Sequence, residues 1–235
     1  MRAVAVGQAE LKLFWRNRTA LFNSFALPLL VVPLLMSSDA DGVPIVVGLM
    51  GFVLLMAVYY NLVTTFVARR EELVLKRLRV GELTDPEILL GASLPSIVVA
   101  LGQMVLFAVI VGLMTGVQLP TRPWFLVLGV VGGVAVFVLL AAASSAFTRT
   151  VEMAQVTSLP VLMACVLGSG LMIPLSYLPE TVAAVLRLLP LTPVLDLLRA
   201  GWEGGPVLRP LIVLAVWIAL GTYAVRRWFR WDPRR

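Results

Sequence analysis

Six long apolar runs, separated by short polar stretches, fill most of this 235-residue sequence. A helix that crosses a bilayer needs roughly 20 apolar residues, and the runs are close to that length. With 60% hydrophobic and only 14% charged residues, the chain has too few polar side chains to cover a water-soluble domain. We therefore predict an all-α integral membrane protein with one transmembrane domain over residues 1–235. The six predicted spans are residues 20–36, 43–68, 88–115, 123–147, 156–173 and 211–225.

The basic residues are distributed unevenly over the predicted loops. An even number of spans places both termini on one side, and that side then carries 15 of the 19 Lys and Arg residues. Because basic loops stay in the cytoplasm, we predict that both termini are cytoplasmic and that residues 226–235 form a basic cytoplasmic tail. No small-residue cleavage motif follows the first run, so we interpret it as an uncleaved span and not as a secretory signal.

The segment before the first run has one apolar face and one basic face at helical spacing. We predict that residues 1–19 include an interfacial elbow helix in the cytoplasmic headgroup layer. The alternative is a basic flank that only fixes the topology. The two faces consist of Leu11, Phe14 and Trp15 on one side and of Lys12 and Arg16 on the other.

The polar segment 69–87, after the second run, contains a second helical pattern. Val74, Leu75 and Leu78 form a narrow apolar stripe, and Glu72 and Lys76 are spaced as an i,i+4 ion pair. We predict a short amphipathic helix on the cytoplasmic side. An ordinary solvated loop that carries a topology signal is the alternative.

The same segment also contains a stop signal and a start signal for helices. Gly81 is a natural helix end. Thr84, Pro86 and Glu87 have capping-box spacing with proline in the first turn, so either Thr84 or Asp85 is the N-cap before the third span. A connection of helix, stop and helix is stiff and transmits force better than a Gly/Ser loop.

The stretch 174–210, before the last run, is too apolar for an ordinary external loop. Ser176 and Pro179 open one short helix that ends before Pro190, and residues 193–200 form another with Gly201 as the expected C-cap. At about 1.5 Å per residue, neither helix can cross the bilayer. We therefore predict an external helix pair. It either enters the membrane and returns or lies on the surface, and the sequence leaves both possibilities open.

No acidic or basic residue lies well inside the apolar runs. Gradient-driven transporters use an ionisable group or a cation site near the midplane, so that class is disfavoured. Neither Lys12 nor Lys76 follows a glycine, which excludes a P-loop in this chain. The absence of histidine and the single cysteine, Cys165, exclude His/Cys metal sites and Ser–His or Cys–His nucleophiles. We predict no catalytic or metal-binding residue; if the protein transports a substrate, the energy has to come from a partner at the cytoplasmic face.

Uncharged polar residues inside the runs are the remaining candidates for contact with a transported substrate. Most such residues in membrane helices form packing hydrogen bonds. The candidates for a substrate path are Asn61, Thr64, Thr65 and Ser169.

Three segments, in order with the six spans, are similar to those of a known family. The stretches ELKLFWRNR (10–18) and ALPLL (26–30) are similar to its elbow helix and first span. The stretch KRLRVGELTDPEILLG (76–91) looks like its coupling loop, and IPLSYLP (173–179) with LPLTPVLDLLR (189–199) looks like its late external segment. Together they resemble the permease subunit of type-2 ABC exporters, which export drugs, lipids or polysaccharides. The short loop after the first span departs from this pattern and leaves little room for an external domain.

The resemblance implies a homodimer of permease copies in the lipids of a bacterial plasma (inner) membrane, with two ABC ATPase subunits bound below. ATP and Mg would bind to the ATPase, and this chain would bind no cofactor and no nucleic acid. Drug export would connect it with antibiotic resistance. The residues expected to dock on the ATPase are Glu71, Glu72, Val74, Leu75, Lys76, Arg77, Leu78, Arg79, Thr84 and Pro86.

Two other classes of function remain open from the sequence. The chain could be a membrane scaffold that anchors a cytoplasmic partner without transporting anything. An intramembrane enzyme acting on lipids is less compatible, because the runs carry no acid–base constellation.

Overall fold

The computed structural model describes residues 42–74, 84–171, 175–229 and 231, and every regular element in these ranges is helical. Five of the described helices are long and apolar enough to cross a membrane. They correspond to the second to sixth predicted runs. The predicted elbow helix, the first predicted span and the predicted stripe residues Leu75 and Leu78 lie outside the described residues.

The first described span consists of α1 (Gly42–Val53), a π-helix (Leu54–Tyr60) and α2 (Asn61–Glu71). The other spans are α3 (Asp85–Thr115), α4 (Pro123–Phe147), α5 (Val151–Gly168) and α8 (Leu208–Trp228). Between α5 and α8 lie a 3-10 turn (Leu175–Tyr177) and two short helices, α6 (Glu180–Leu186) and α7 (Thr192–Glu203).

The start of α3 follows the predicted capping chemistry. Thr84 is the N-cap, which decides between the two predicted positions. The Glu87 carboxylate accepts hydrogen bonds from the Thr84 backbone N–H at 2.9 Å and from its hydroxyl at 2.6 Å. At the other end, Gly116 ends the helix with a φ of 70°, a conformation that glycine adopts at little cost.

Several predicted helix boundaries differ from those of the structure, and two of the differences have a local cause. The fifth span begins at Val151 instead of residue 156, because the Thr150 hydroxyl caps it by accepting the Met153 N–H at 3.4 Å. Helix α7 continues past Gly201 to Glu203, and Gly204 is its C-cap. Gly201 instead allows close packing, since a methyl group there would lie 3.2 Å from Leu126 Cβ.

Helix α4 is the centre of the bundle and contacts the first described span, α5, α7 and α8. Glycines allow this close approach, as is usual where membrane helices pack. A methyl group at Gly133 would lie 2.7 Å from Leu54 Cδ1 and 2.9 Å from Val194 Cγ1. One at Gly129 would lie 3.1 Å from Leu198 Cδ2. The non-spanning helix α7 therefore packs on the same part of α4 as the first described span.

The bundle has two ends, which we name after their loops. At the α3–α4 end, the start of α1 packs beside Thr115 and Val117. At the α4–α5 end, the C-terminus of α4 meets the last residues of α8, and the rings of Phe147 and Trp228 are 6.0 Å apart.

Candidate functional site

The predicted ATPase-coupling residues follow directly on the end of α2. Helix α2 ends in a left-handed turn: the Glu72 N–H donates to Ala68 O at 2.9 Å, and the Leu73 N–H donates to Arg70 O at 3.1 Å. Leu73 has a φ of 61°, which is uncommon for a residue with a side chain. Glu72 pairs with Arg69 at 3.2 Å. It therefore belongs to the end of α2, so Leu73 separates it from the predicted short helix.

The two flanks of the segment 75–83 are exposed at the α4–α5 end. Glu71, Glu72 and Leu73 are exposed on one side of the segment, and Thr84 and Pro86 are exposed on the other. Of the predicted docking residues, Glu71, Glu72, Val74, Thr84 and Pro86 are described, whereas residues 75–79 lie outside the described ranges. A docking loop would thus start and finish on helix ends that a partner can reach.

Arg70 occupies a different environment, which we did not predict from the sequence. Its side chain is buried, with 1% relative exposure. The guanidinium donates to Ser145 O at 2.9 Å and also to Thr148 O, both at the C-terminus of α4. The spacing of Phe66 and Arg70 on α2 could have indicated this burial, because they are four residues apart on one helix face and both are buried.

Three of the four candidate substrate-path residues lie together on α2. The Asn61 amide donates to Ser96 Oγ on α3 at 3.0 Å. The hydroxyls of Thr64 and Thr65 donate to the carbonyls of Tyr60 and Asn61, at 3.3 and 2.9 Å. Asn61 is exposed in the single chain, and the two threonines are partly exposed. They form an uncharged polar face, directly after the π-helix.

The fourth candidate, Ser169, lies at the C-terminal end of α5 and is buried. It is therefore separate from the face on α2.

The π-helix itself had no signal in the sequence. It occupies the middle of the first described span. There the hydroxyls of Tyr59 and of Ser144 on α4 form a hydrogen bond of 3.1 Å. π-Helical turns are rare and often occur at functional sites. This one makes the polar face that begins at Asn61 a structurally distinct part of the span.

The segment before α8 brings charged residues together. Asp196 on α7 pairs with Arg199 at 3.5 Å, and Arg187 pairs with Glu180 at 3.7 Å. Burial raises the pKa of Asp196, while the nearby charges of Arg199, Arg187 and Arg209 oppose that rise. This cluster connects α6, α7 and the start of α8 through charge.

The C-terminus of α7 is fixed to the α3–α4 loop. The Trp202 indole N–H donates to Gln118 O at 3.0 Å, and the Thr121 hydroxyl donates to Trp202 O at 3.2 Å. The Arg122 N–H donates to Gly201 O at 3.0 Å. Together with the packing of α7 on α4, these bonds hold a helix too short to span the bilayer within the bundle.

These features define a multi-pass, all-helical membrane protein with a short helix packed among its spans. A model of the ABC-2 type transporter family matches residues 2–202, so the match begins in the N-terminal segment and ends within α7. The chain belongs to the ABC-2 type transporter family and is a permease component of an ABC transporter. The family match also implies a partner ABC ATPase. A search of curated proteins finds no match to this chain.

Proposed function

We propose that this protein is the permease subunit of an ATP-driven exporter. Two copies of the chain pair in the plasma membrane and bind two ABC ATPase subunits, which hydrolyse ATP with Mg. The transported molecule is amphipathic, either drug-like, a lipid or a polysaccharide, and moves out of the cytoplasm or the inner leaflet.

The observation that carries this proposal is the exposed pair of helix ends around residues 75–83. The end of α2 and the Thr84 cap of α3 both present polar, reachable residues at the α4–α5 end. The sequence between them contributes the apolar stripe of Leu75 and Leu78. Apolar anchors with a charged rim are typical of docking surfaces.

The distribution of charge supports an external source of energy. In the five spans that the structure describes, acidic and basic residues lie only in the first or last turns. An ion-coupled transporter needs such groups near the midplane. Energy supplied at the α4–α5 end by an ATPase fits this arrangement.

The character of the candidate path supports an amphipathic cargo. Asn61, Thr64 and Thr65 offer hydrogen-bonding groups without charge, and α3, which Asn61 contacts through Ser96, carries exposed apolar residues such as Leu101. A second copy of the chain that faces this polar surface would enclose a path with both polar and apolar walls.

The proposal is tested by disrupting the stripe. Leu75→Asp or Leu78→Asp should remove an apolar anchor and place a carboxylate in the ATPase groove, weakening the complex by about 2–4 kcal/mol. The measurement is detergent pull-down of the ATPase by each variant, with the amount of membrane-inserted protein as a check. Arg79→Ala, a rim change in the same segment, is the matched control and should cost about 1 kcal/mol or less.

If both aspartate variants retain the ATPase as well as the parent chain does, the docking assignment is wrong. A solvated loop would tolerate both changes. A segment that only fixes topology would respond to the loss of basic residues and not to Leu75→Asp.

A further inference from the structure

Arg70 joins the last turn of α2 to the C-terminus of α4. Two N–H groups of one guanidinium reach backbone carbonyls that lie 75 and 78 residues further along the chain, at Ser145 and Thr148. The last carbonyls of a helix have no partner within the helix and carry partial negative charge, so a cation is favoured there. The planar guanidinium holds two acceptors at fixed relative positions, which an ammonium group cannot do.

The burial of Arg70 makes this junction hard to open. With 1% relative exposure, the guanidinium is shielded from water by the surrounding helices. If the ends of α2 and α4 separated, a buried cation would lose its hydrogen-bond acceptors, which is strongly unfavourable. The two helix ends should therefore move together.

The neighbouring Arg69 shows that a basic residue at this end of α2 does not by itself form such a junction. Arg69 pairs with Glu72 within the same helix, and its side chain is 27% exposed. Arg69 and Arg70 thus carry the same charge at the same end of the bundle. The guanidinium of Arg70 donates to Ser145 O and Thr148 O on another helix, whereas Arg69 donates to Glu72 on its own helix.

Helix α4 leads from this junction to the other end of the bundle. Its glycines pack closely against Leu54 of the π-helix, Val194 and Leu198 of α7, and Leu214 of α8. The far end of α7 is bonded in turn to the α3–α4 loop through Trp202. A displacement of the C-terminus of α4 would therefore be transmitted to α7 and to the loop that follows α3.

We propose that Arg70 is a positioning residue for energy coupling, which makes the end of α2 and the end of α4 one rigid unit. Force applied to the segment after Leu73 then moves α4, and with it α7, instead of only bending the loop. This inference rests on the proposed function, because the force is that of a nucleotide-driven ATPase. It assigns a role to Arg70 beyond that of a basic residue that fixes topology.

The test measures whether the two helix ends move together. Spin labels are placed at Leu73→Cys and Phe147→Cys in a Cys165→Ala background, with the ATPase bound, and distances are compared without nucleotide and in a trapped ATP state. Both labelled side chains are exposed, so the labels can be accommodated. We expect no nucleotide-dependent shift between these two labels. As a reference, the distance between the Leu73 labels of the two paired copies should shift.

The arginine variants then test whether Arg70 is what keeps the ends of α2 and α4 at a fixed distance. With Arg70→Met, the distance between the Leu73 and Phe147 labels should acquire a nucleotide-dependent shift. Arg69→Met, which loses the same charge at the same end, should leave that distance constant. Arg70→Lys keeps the charge but not the two-pronged geometry, so it should give an intermediate shift.

A nucleotide-dependent shift between the Leu73 and Phe147 labels with Arg70 in place would overturn the inference without any need for the variants. So would a distance that stays constant in Arg70→Met. A chain that does not bind the ATPase at all contradicts the proposed function instead, and pull-down identifies that case before labelling. If Arg70→Met does not fold, the measurement with Arg70 in place and the Arg70→Lys variant still decide the matter.

Discussion

Helices α3 and α7 differ in a way that reverses the usual relation between apolarity and burial. Helix α3 has 31 residues, and only 28% of its most apolar stretch is buried. Helix α7 has 12 residues, among them Asp196 and Arg199, and eight of the 12 are buried. The less apolar helix is thus the more enclosed one.

The reason is that lipid is as apolar as a leucine side chain. An apolar residue in a membrane helix gains little by facing other helices instead of the acyl chains. Exposed residues of α3 such as Val105 and Leu113 are therefore compatible with the bilayer. Helix α7 is held by other means: close approach at glycines, hydrogen bonds to the α3–α4 loop and a group of paired charges.

The largest expected effect on stability comes from a substitution that prevents the close approach of α4 and α7 at Gly133. In Gly133→Ala, the added methyl group would lie 2.9 Å from Val194 Cγ1, a stiff side chain that is fully buried. We expect a loss of stability of about 2 kcal/mol, measured by thermal unfolding in detergent.

Gly112 on α3 provides the matched control. A methyl group there meets nothing nearer than Val117 O at 3.9 Å. Gly112→Ala should stabilise the helix by about 0.5–1 kcal/mol, because alanine has the higher helix propensity. If Gly133→Ala and Gly112→Ala change thermal stability equally, close approach at glycines does not distinguish the packing of α7 from that of α3.

The bounds of the spans could be predicted where local chemistry determines them. Helix α4 begins at Pro123 and ends at Phe147 as the apolar run predicts, and Thr84, one of the two predicted N-cap positions, caps α3. Where the boundary depends on a single side chain inside a polar stretch, as at Thr150, the apolar run alone was insufficient.

The arrangement of the candidate site was less predictable, for a physical reason. The partners of Arg70 are backbone carbonyls, which every residue has, so the sequence carries no mark of them. Likewise, the π-helix before Asn61 follows no residue pattern that we recognise. Asn61, Thr64 and Thr65 share a face because residues three and four apart on one helix are neighbours, a property that is local to α2.

A smaller effect is expected from the hydrogen bonds at the end of α7. Trp202→Phe keeps the ring but removes the indole N–H that donates to Gln118 O at 3.0 Å. This should cost about 1 kcal/mol of stability and increase proteolysis of the α3–α4 loop. Trp124→Phe, at an exposed tryptophan at the start of α4, is the control and should change neither measurement. If the two variants behave alike, the packing at the glycines is sufficient to hold α7.

The smallest effect concerns the charge on α7 and depends on pH. Because burial is the main cause and raises the pKa of Asp196, the folded protein favours the protonated form. Stability from this group is therefore fully present below the pKa of an unfolded aspartate and is lost as the pH rises through the raised value. In Asp196→Asn this loss should be absent, so its melting temperature, relative to the parent chain, should improve with rising pH over that window. The side chain is 40% exposed and lies near three arginines, so solvent and ion pairing keep the difference small. A difference that grows in the opposite direction would mean that the arginines outweigh burial, and that α7 is held in the bundle partly by its carboxylate.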